Sequence, residues 1–529
     1  MDLYIPGFHL GCGSRHFRPG YYLMGSNFDG RYGGPGPRQV ADRTGIAAGY
    51  RVRQMIKHGD VNFLLTTNGT HTNIYTLSAG NWALAGAANP TFSNLVGTGM
   101  VSFKDVLAVG FNTSNAYQFS SDNGSTWTTS TKTTANAEFF KYAIVQVNGL
   151  TSPRVLYVRD PNEVYFTEDL TNGDATGSTT TYVADNASDQ QRFENVVEDY
   201  TGEVLLCMRH DIYSIDSSGR VWRRTWDNFP DGVADAGGQG DRNNFETVAK
   251  NQGRIYFNYS GNEILEWYRG NINKYMAPKH LSGNMIPRMD LPVNAMTEAA
   301  GYVVLALGSA TASTLKSVLY TPGGGAHLGG TFTALSDLYI GRYEGDQLVW
   351  HGILLQATDL LRYMWYDEDD SYLYLASGDS ELVNEQQRRC LFYAQNPLTT
   401  VTSSIVNLAT TTWAVELGRI DFGTPFSVKE AKHVSMHTRG LGATGTPTIA
   451  ALYKLTSDYD TSAFETLHTF DDNALAEIGT SFRPSARSHF RTMHLQFNGA
   501  AGTDTYAVLY DALLTAELVP ARSLPMRRR

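Results

Sequence analysis

Residues Ser120 to Trp127 read Ser-Ser-Asp-Asn-Gly-Ser-Thr-Trp and fit the pattern S-x-D-x-G-x-T-W. A carboxylate, hydroxyls, a glycine and an indole at this spacing organise a strand turn. The Asp122 carboxylate accepts hydrogen bonds from turn amides in an Asx-type arrangement. Gly124 takes a positive φ without strain. Trp127 returns into the sheet and packs against a neighbour. Ser120, Asp122, Gly124, Thr126 and Trp127 are therefore expected to form a structural turn. A looser copy runs from Ser214 to Trp222 through Asp216 and Gly219, with one extra residue before its glycine.

Other groups could bind ligands. Arg159 and Arg209 each follow a short apolar strand, in Val158-Arg159-Asp160 and Met208-Arg209-His210. A guanidinium there could hold a carboxylate, and the plainer reading is a surface charge. The run Asp367-Glu368-Asp369-Asp370 offers clustered oxygens for Ca2+. It lacks the glycine and spacing of an EF-hand loop, so a solvated hairpin turn between Trp365-Tyr366 and Tyr372-Leu373-Tyr374 is expected. His433 with His437, and His489 with His494, are the nearest groupings among 13 histidines. They lie among apolar residues and read as strand faces. Trp82, Trp226 and Trp267 could stack on sugars if exposed, and read more simply as packing between sheets. There is no GxSxG, Walker loop or HExxH. The sequence assigns no catalytic residue, no metal ligand and no cofactor.

The elements that would position these residues repeat. A short apolar strand recurs at Phe63-Leu64-Leu65, Val106 to Val109, Val155 to Val158, Val204-Leu205-Leu206, Ile255-Tyr256-Phe257, Val303 to Ala306 and Leu348-Val349-Trp350. Successive first positions are 43, 49, 49, 51, 48 and 45 apart. A second strand, usually carrying Tyr, follows each, from Ile74-Tyr75 to Val318-Leu319-Tyr320 and Leu361-Arg362-Tyr363. Copies of about 40–50 residues match a four-stranded propeller blade. One small sheet cannot bury both faces, and stacking sheets radially does so. Asp379 to Arg389 is expected to form a short helix.

Composition agrees with many strands and tight turns. Of 529 residues, 51 are Gly, 30 Tyr and 24 Phe, and only 18% are charged. A hydrophobic content of 42% supports a core and excludes wholesale disorder. The reading is all-β: an extended Gly- and aromatic-rich arm over 1–50, a β-propeller of seven blades over 51–420, and an antiparallel β-sandwich over 421–529 ending in the basic tail Met526-Arg527-Arg528-Arg529. A net charge of −10 argues against a broad nucleic-acid-gripping face. Cys12, Cys207 and Cys390 form no CxxC pair, which points to a reducing compartment. No basic n-region with an apolar stretch opens the chain, and no apolar run approaches a membrane span.

Two resemblances follow from these residues. Ser120 to Trp127 looks like the Asp box of sialidases and other BNR-repeat propellers, where the box marks a blade turn away from the active site. A sialidase-like site would need three convergent arginines, a Tyr–Glu nucleophile pair and an acid Asp. Arg159 and Arg209 match no such triad, so the resemblance implies a fold and no catalysis. Second, Thr412-Trp413 through Asp421-Phe422-Gly423-Thr424-Pro425 to Lys429 and Lys432-His433-Val434 resembles a junction in tailed-phage virion proteins. There a propeller-like body ends in a Trp strand, a D-x-G-x-P turn and a Lys-bearing first strand of a terminal sandwich. With the arm, this is similar to tail hub or nozzle proteins. It implies a non-enzymatic tail component in the virion, assembled in the host cytoplasm. Its partners would be other tail proteins and copies of itself in a ring that DNA passes. The competing expectations are a glycan- or receptor-binding propeller and a sialidase-like glycosidase.

Overall fold

The computed structural model describes residues 2–8, 10, 18–19, 22, 24–26, 28–29, 34–35, 38–43, 46–47, 49–78, 81–85, 91–111, 117–130, 137–145, 154–159, 163–171, 181–182, 193–208, 212–215, 221–223, 245–259, 263–276, 293–309, 335–344, 347–357, 361–369, 372–377, 386–391, 412–439, 441, 447–454, 464–471, 480–481, 489–500 and 507–519. Among these the regular structure is all strand, and no helix is long and apolar enough to cross a membrane. The chain is an all-β protein built on a β-propeller.

Seven antiparallel sheets follow one another among the described residues. The first spans 51–92, the second 97–129, the third 137–182, the fourth 193–223, the fifth 248–276 and the sixth 293–357, each made of consecutive strands. Second strands such as Val61–Thr67 and Val106–Phe111 are buried on both faces. This is why they read as continuous apolar runs and not as alternating ones.

Each sheet packs on the next. Ile56, Phe63 and Leu65 of the first sheet share a core with Met100, Leu107 and Val109 of the second. Val101, Ala108 and Tyr117 meet Val155 and Tyr157 of the third. Strand Ala137–Val145 lies against Phe193–Glu198 of the fourth. Leu205 and Cys207 meet Ile255 and Phe257 of the fifth, Tyr256 and Ile264 meet Leu305 of the sixth, and Val304 meets Leu373 and Leu375 of the seventh. The ring closes where Tyr374 and Ala376 of the seventh sheet pack on Leu64, Tyr75 and Trp82 of the first.

Inner strands also bond sideways through side chains. The Met55 amide donates to Tyr363 Oη at 3.0 Å, Met100 to Gln54 Oε1 at 2.6 Å and Met296 to Thr247 Oγ1 at 2.7 Å. Each bond joins one sheet to the next and satisfies an amide on the ring's inner edge.

The seventh sheet is assembled from both ends of the chain. Leu361–Asp367, Tyr372–Ser377 and Gln386–Leu391 are followed not by a downstream strand but by Arg38–Arg43. Gln39 stands opposite Cys390, and Arg38 opposite Leu391. The expected helix over Asp379 to Arg389 is thus overturned at Gln386 to Arg389, and 379–385 lie outside the described residues. Local helix preference of Glu, Gln and Arg yields to pairing on both sides. The seventh copy of the repeat was also misregistered. Leu348-Val349-Trp350 lies in the outer strand of the sixth sheet, and Leu361-Arg362-Tyr363 in the inner strand of the seventh. Both are apolar enough to pass for a central strand. Val318-Leu319-Tyr320 lies outside the described residues.

Ten of the remaining strands form two five-stranded sheets around one core, and Phe28–Asp29 pairs with Gly34–Pro35. One is ordered Asp2–Ile5, Val508–Leu518, Lys429–Arg439, then Thr480–Ser481 with His489–Phe490 on the same neighbour. The other runs Met24–Ser26, Thr412–Glu416, His494–Ala500, Thr448–Lys454 and Glu465–Phe470. Their shared core includes Ile5, Phe8, Tyr22, Phe28, Trp413, Val415, Leu495, Phe497 and Leu514. Trp413 lies so closely over Gly499 that a Cβ there would collide with the indole. The Trp413 strand therefore belongs to this second body, ahead of the boundary read at residue 421.

The N-terminal segment, read as an extended arm, supplies edge strands to both bodies. Asp2–Ile5 pairs with the strand holding Leu513 and Thr515, Met24–Ser26 with Thr412–Glu416, and Arg38–Arg43 closes the seventh sheet. Phe8, Tyr22 and Phe28 meet edge to face at 5.3–6.1 Å, and Phe28 leans on Trp413 at 5.1 Å. Tyr22 Oη also lies 3.4 Å from His351 Nδ1, on the outer strand of the sixth sheet.

Candidate functional site

The Ser120–Trp127 segment joins strands Tyr117–Ser120 and Thr128–Thr129 at the outer end of the second sheet. Asp122 Oδ1 accepts from Ser120 Oγ at 2.7 Å and from the Thr126 amide at 2.8 Å. Its Oδ2 accepts from Thr126 Oγ1 at 2.6 Å. Ser120 Oγ in turn accepts from the Gly124 amide at 2.8 Å. These hydrogen bonds, the Thr126 hydroxyl first, hold the Asp122 carboxyl down at about 2.

Backbone and packing complete the turn. Asn123 and Gly124 both have positive φ, 54° and 80°. Trp127 Nε1 donates to the Gly124 carbonyl at 3.1 Å, and its ring meets Phe92 of the first sheet edge to face at 5.5 Å. A Cβ on Gly124 would stand 2.9 Å from Phe63 Cε1. Both oxygens of Asp122 are thus engaged by the turn itself. The arrangement clips a hairpin and seats it on the neighbouring sheet. In the looser copy, Ser214 and Ile215 end one strand, Val221-Trp222 begins the next, and Asp216 to Gly219 lie outside the described residues.

The other candidates do not converge. Arg159 ends strand Arg154–Arg159 opposite Ala137 and Glu163; Arg209 and Trp226 lie outside the described residues. Trp82 and Trp267 are 3% and 1% exposed, which removes them as sugar-stacking platforms. Trp267 Nε1 instead donates to Asp199 Oδ2 at 3.2 Å, tying the fifth sheet to a turn of the fourth. His437 pairs with Asp511 at 3.5 Å, His494 with Glu416 at 3.3 Å, and the two lie on different sheets. Among the described residues no three His, Cys, Asp or Glu side chains gather as a metal site.

The acidic run forms a seam. Asp367, 2% exposed, accepts from Asn62 Nδ2 of the first sheet at 2.8 Å. Lys57, also of the first sheet, pairs with Asp369 and lies 3.9 Å from Asp367. Asp370 is outside the described residues. Asn62 and Lys57 carry no sequence signal, because their role exists only where the last sheet meets the first.

Lys429 is a third residue whose role spacing could not give. It is fully buried, and Nζ donates to the carbonyls of Thr424 at 2.6 Å, Arg491 at 2.8 Å and Ser427 at 2.9 Å. Burial lowers its ammonium below the usual lysine value, against the pull of Asp421. The preceding turn is set by the Gly423 amide on Asp421 Oδ1 at 2.8 Å, with Phe422 and Gly423 at φ 55° and 73°. The loop so fixed presents Phe426 at 88% exposure, and Leu518, opposite Lys429 in the sheet, is 50% exposed.

No family model matches the sequence, and no curated protein matches it. Solved structures resemble it weakly. The extracellular domain of a hybrid two-component system from B. thetaiotaomicron aligns with TM-score 0.43 at 9% identity, over 78% of this chain and 45% of that one. This chain thus spans about half the length of that domain. The WD40 repeats of RRP9 align with TM-score 0.42 at 9% identity, over 67% and 99% of the two chains. YCF48 bound to D1 peptide gives 0.41 at 10% identity, over 69% and 97%.

Proposed function

We propose that this chain is a non-enzymatic structural component of a tailed-phage virion, a hub, nozzle or tip protein of the tail. The observation that carries the reading is the junction at Lys429. The Trp strand, the Asp421–Pro425 turn and the lysine on the first long strand of the second body are the residues on which the resemblance rests. They belong to one body: Trp413 fills its core, and the ammonium fixes the loop that follows the turn. In this role the propeller is a rigid block. The exposed Phe426 on a pre-organised loop is the kind of aromatic that anchors a neighbouring subunit. Copies of the chain and other tail proteins are the neighbours, in a ring. The net charge of −10 suits a ring that DNA traverses without being held. The particle is assembled in the host cytoplasm. Mass spectrometry of purified virions tests the reading, with the chain expected at a fixed copy number per particle. Its absence from virions would sink it.

A further inference from the structure

The N-terminal segment pairs with the two bodies only as edge strands, and Met24–Ser26 and Phe28–Asp29 also lie against Gln347–Ala357 of the sixth sheet. Asp2–Ile5, Met24–Ser26 and Arg38–Arg43 each have a single long partner strand, and none lies between two others. Lifting them therefore breaks one ladder apiece and leaves the sheets beneath intact. Side-chain packing on the second body adds to this hold. Phe8, Tyr22 and Phe28 are buried in that core, and hairpin Phe28–Asp29 with Gly34–Pro35 continues directly toward Arg38. Only ten positions separate Phe28 from the strand that closes the seventh sheet. A strand of six residues held by one ladder is marginal by itself.

We propose that this segment is a strap: when Phe8, Tyr22 and Phe28 leave the core of the second body, Arg38–Arg43 leaves the propeller. Strand Gln386–Leu391 then becomes a bare pairing edge, and a second copy's Arg38–Arg43 fills it. The occupant follows from the register, because the edge already matches that strand from Arg38 opposite Leu391 to Arg43 opposite Gln387. An unpaired strand edge recruits a matching strand, and exchanging the same element between copies is a low-cost route to assembly. The inference concerns the strap alone and holds whatever assembly the chain serves.

The full-length chain offers a direct test, since Gln39 faces the native Cys390. Paired Cα atoms of an antiparallel ladder lie at disulfide distance. Gln39→Cys, oxidised and run without reductant, is expected to close within one chain. Adding Phe28→Ala should convert most of that bond into a between-chain dimer as protein concentration rises tenfold. Amide exchange over Gln386–Leu391 should rise by roughly tenfold or more, while Val106–Phe111 stays protected. Cys390→Ser must abolish the dimer, which excludes Cys12 and Cys207 as the source. If Phe28→Ala prevents folding, Phe28→Leu, which keeps an apolar side chain in the core but loses the ring contacts to Phe8, Tyr22 and Trp413, is read the same way. An unchanged intrachain bond and unchanged exchange over Gln386–Leu391, in a variant whose Thr412–Glu416 amides have loosened, would overturn the proposal.

Discussion

Asn62 Nδ2 donates to Asp367 Oδ2 at 2.8 Å across the seam where the last sheet of the ring meets the first. Both groups are buried, so losing one removes a buried hydrogen bond from the other. Asp367→Ala is expected to lower stability by about 1–3 kcal/mol. A double-mutant cycle with Asn62→Ala, followed by urea unfolding, should return a coupling of at least ~0.5 kcal/mol. Strictly additive losses would show that the contact is incidental to closure.

Asp122 makes the hairpin turn of the second sheet sensitive to acid. Its folded value of about 2 lies below the ordinary 3.8. The stabilisation is therefore complete above pH 4 and is lost as pH falls toward 2. Asp122→Asn should lower the urea midpoint at neutral pH, and the gap from the parent should narrow below pH 3. A gap of constant width from pH 7 to pH 2 would contradict this assignment.

Gly124 is held by conformation and by space at once. With φ at 80° and Phe63 beneath it, Gly124→Ala should destabilise by about 2–4 kcal/mol. Gly253, at φ 78° with open space around the missing Cβ, isolates the conformational part. Gly253→Ala should lose only about 1 kcal/mol. Thermal unfolding of both variants ranks them, and equal losses would remove the role given to Phe63.

Lys429→Met would remove three hydrogen bonds to backbone carbonyls, with the Thr424 carbonyl keeping the Ser427 amide at 3.1 Å. The loss should be roughly 3 kcal/mol or more, concentrated in the second body. Amide exchange should show strand Lys429–Arg439 loosened and the second sheet of the propeller unchanged.

Phe426→Ala should behave in the opposite way. The ring is 88% exposed, so folding should change by no more than ~0.5 kcal/mol. Incorporation into particles should fall, read as the amount of chain per purified virion in a competition with the parent. Equal incorporation would remove Phe426 from the proposed contact.

Much of the propeller is legible in sequence because its second strands are buried on both sides. Leu64, Leu107, Leu156, Leu205, Tyr256 and Val304 all fall in that position of their sheets, and the apolar runs marked them. The Ser120–Trp127 pattern gives the residues of one turn, since Asx and glycine chemistry are local. What joins the bodies is not local. Arg38–Arg43 pairs with residues about 350 positions away, and its sequence Arg-Gln-Val-Ala-Asp-Arg carries no alternation that would announce a strand. Asn62 and Lys57 look like surface residues until the ring closes on them. Lys429 is visible beside its turn, but lysine is among the residues least expected inside.

The sideways bonds between inner strands bear on how such a ring can change over generations. Tyr363, Gln54 and Thr247 each serve a backbone amide of the adjoining sheet, and they do it with a phenol, a carboxamide and a secondary alcohol. Each of these three junctions is keyed to one particular pair of sheets. A sheet duplicated or transplanted to another place in the circle would arrive with the wrong key. Such a ring can drift residue by residue while its order stays frozen, and the ancestral likeness among its units fades without any unit becoming interchangeable.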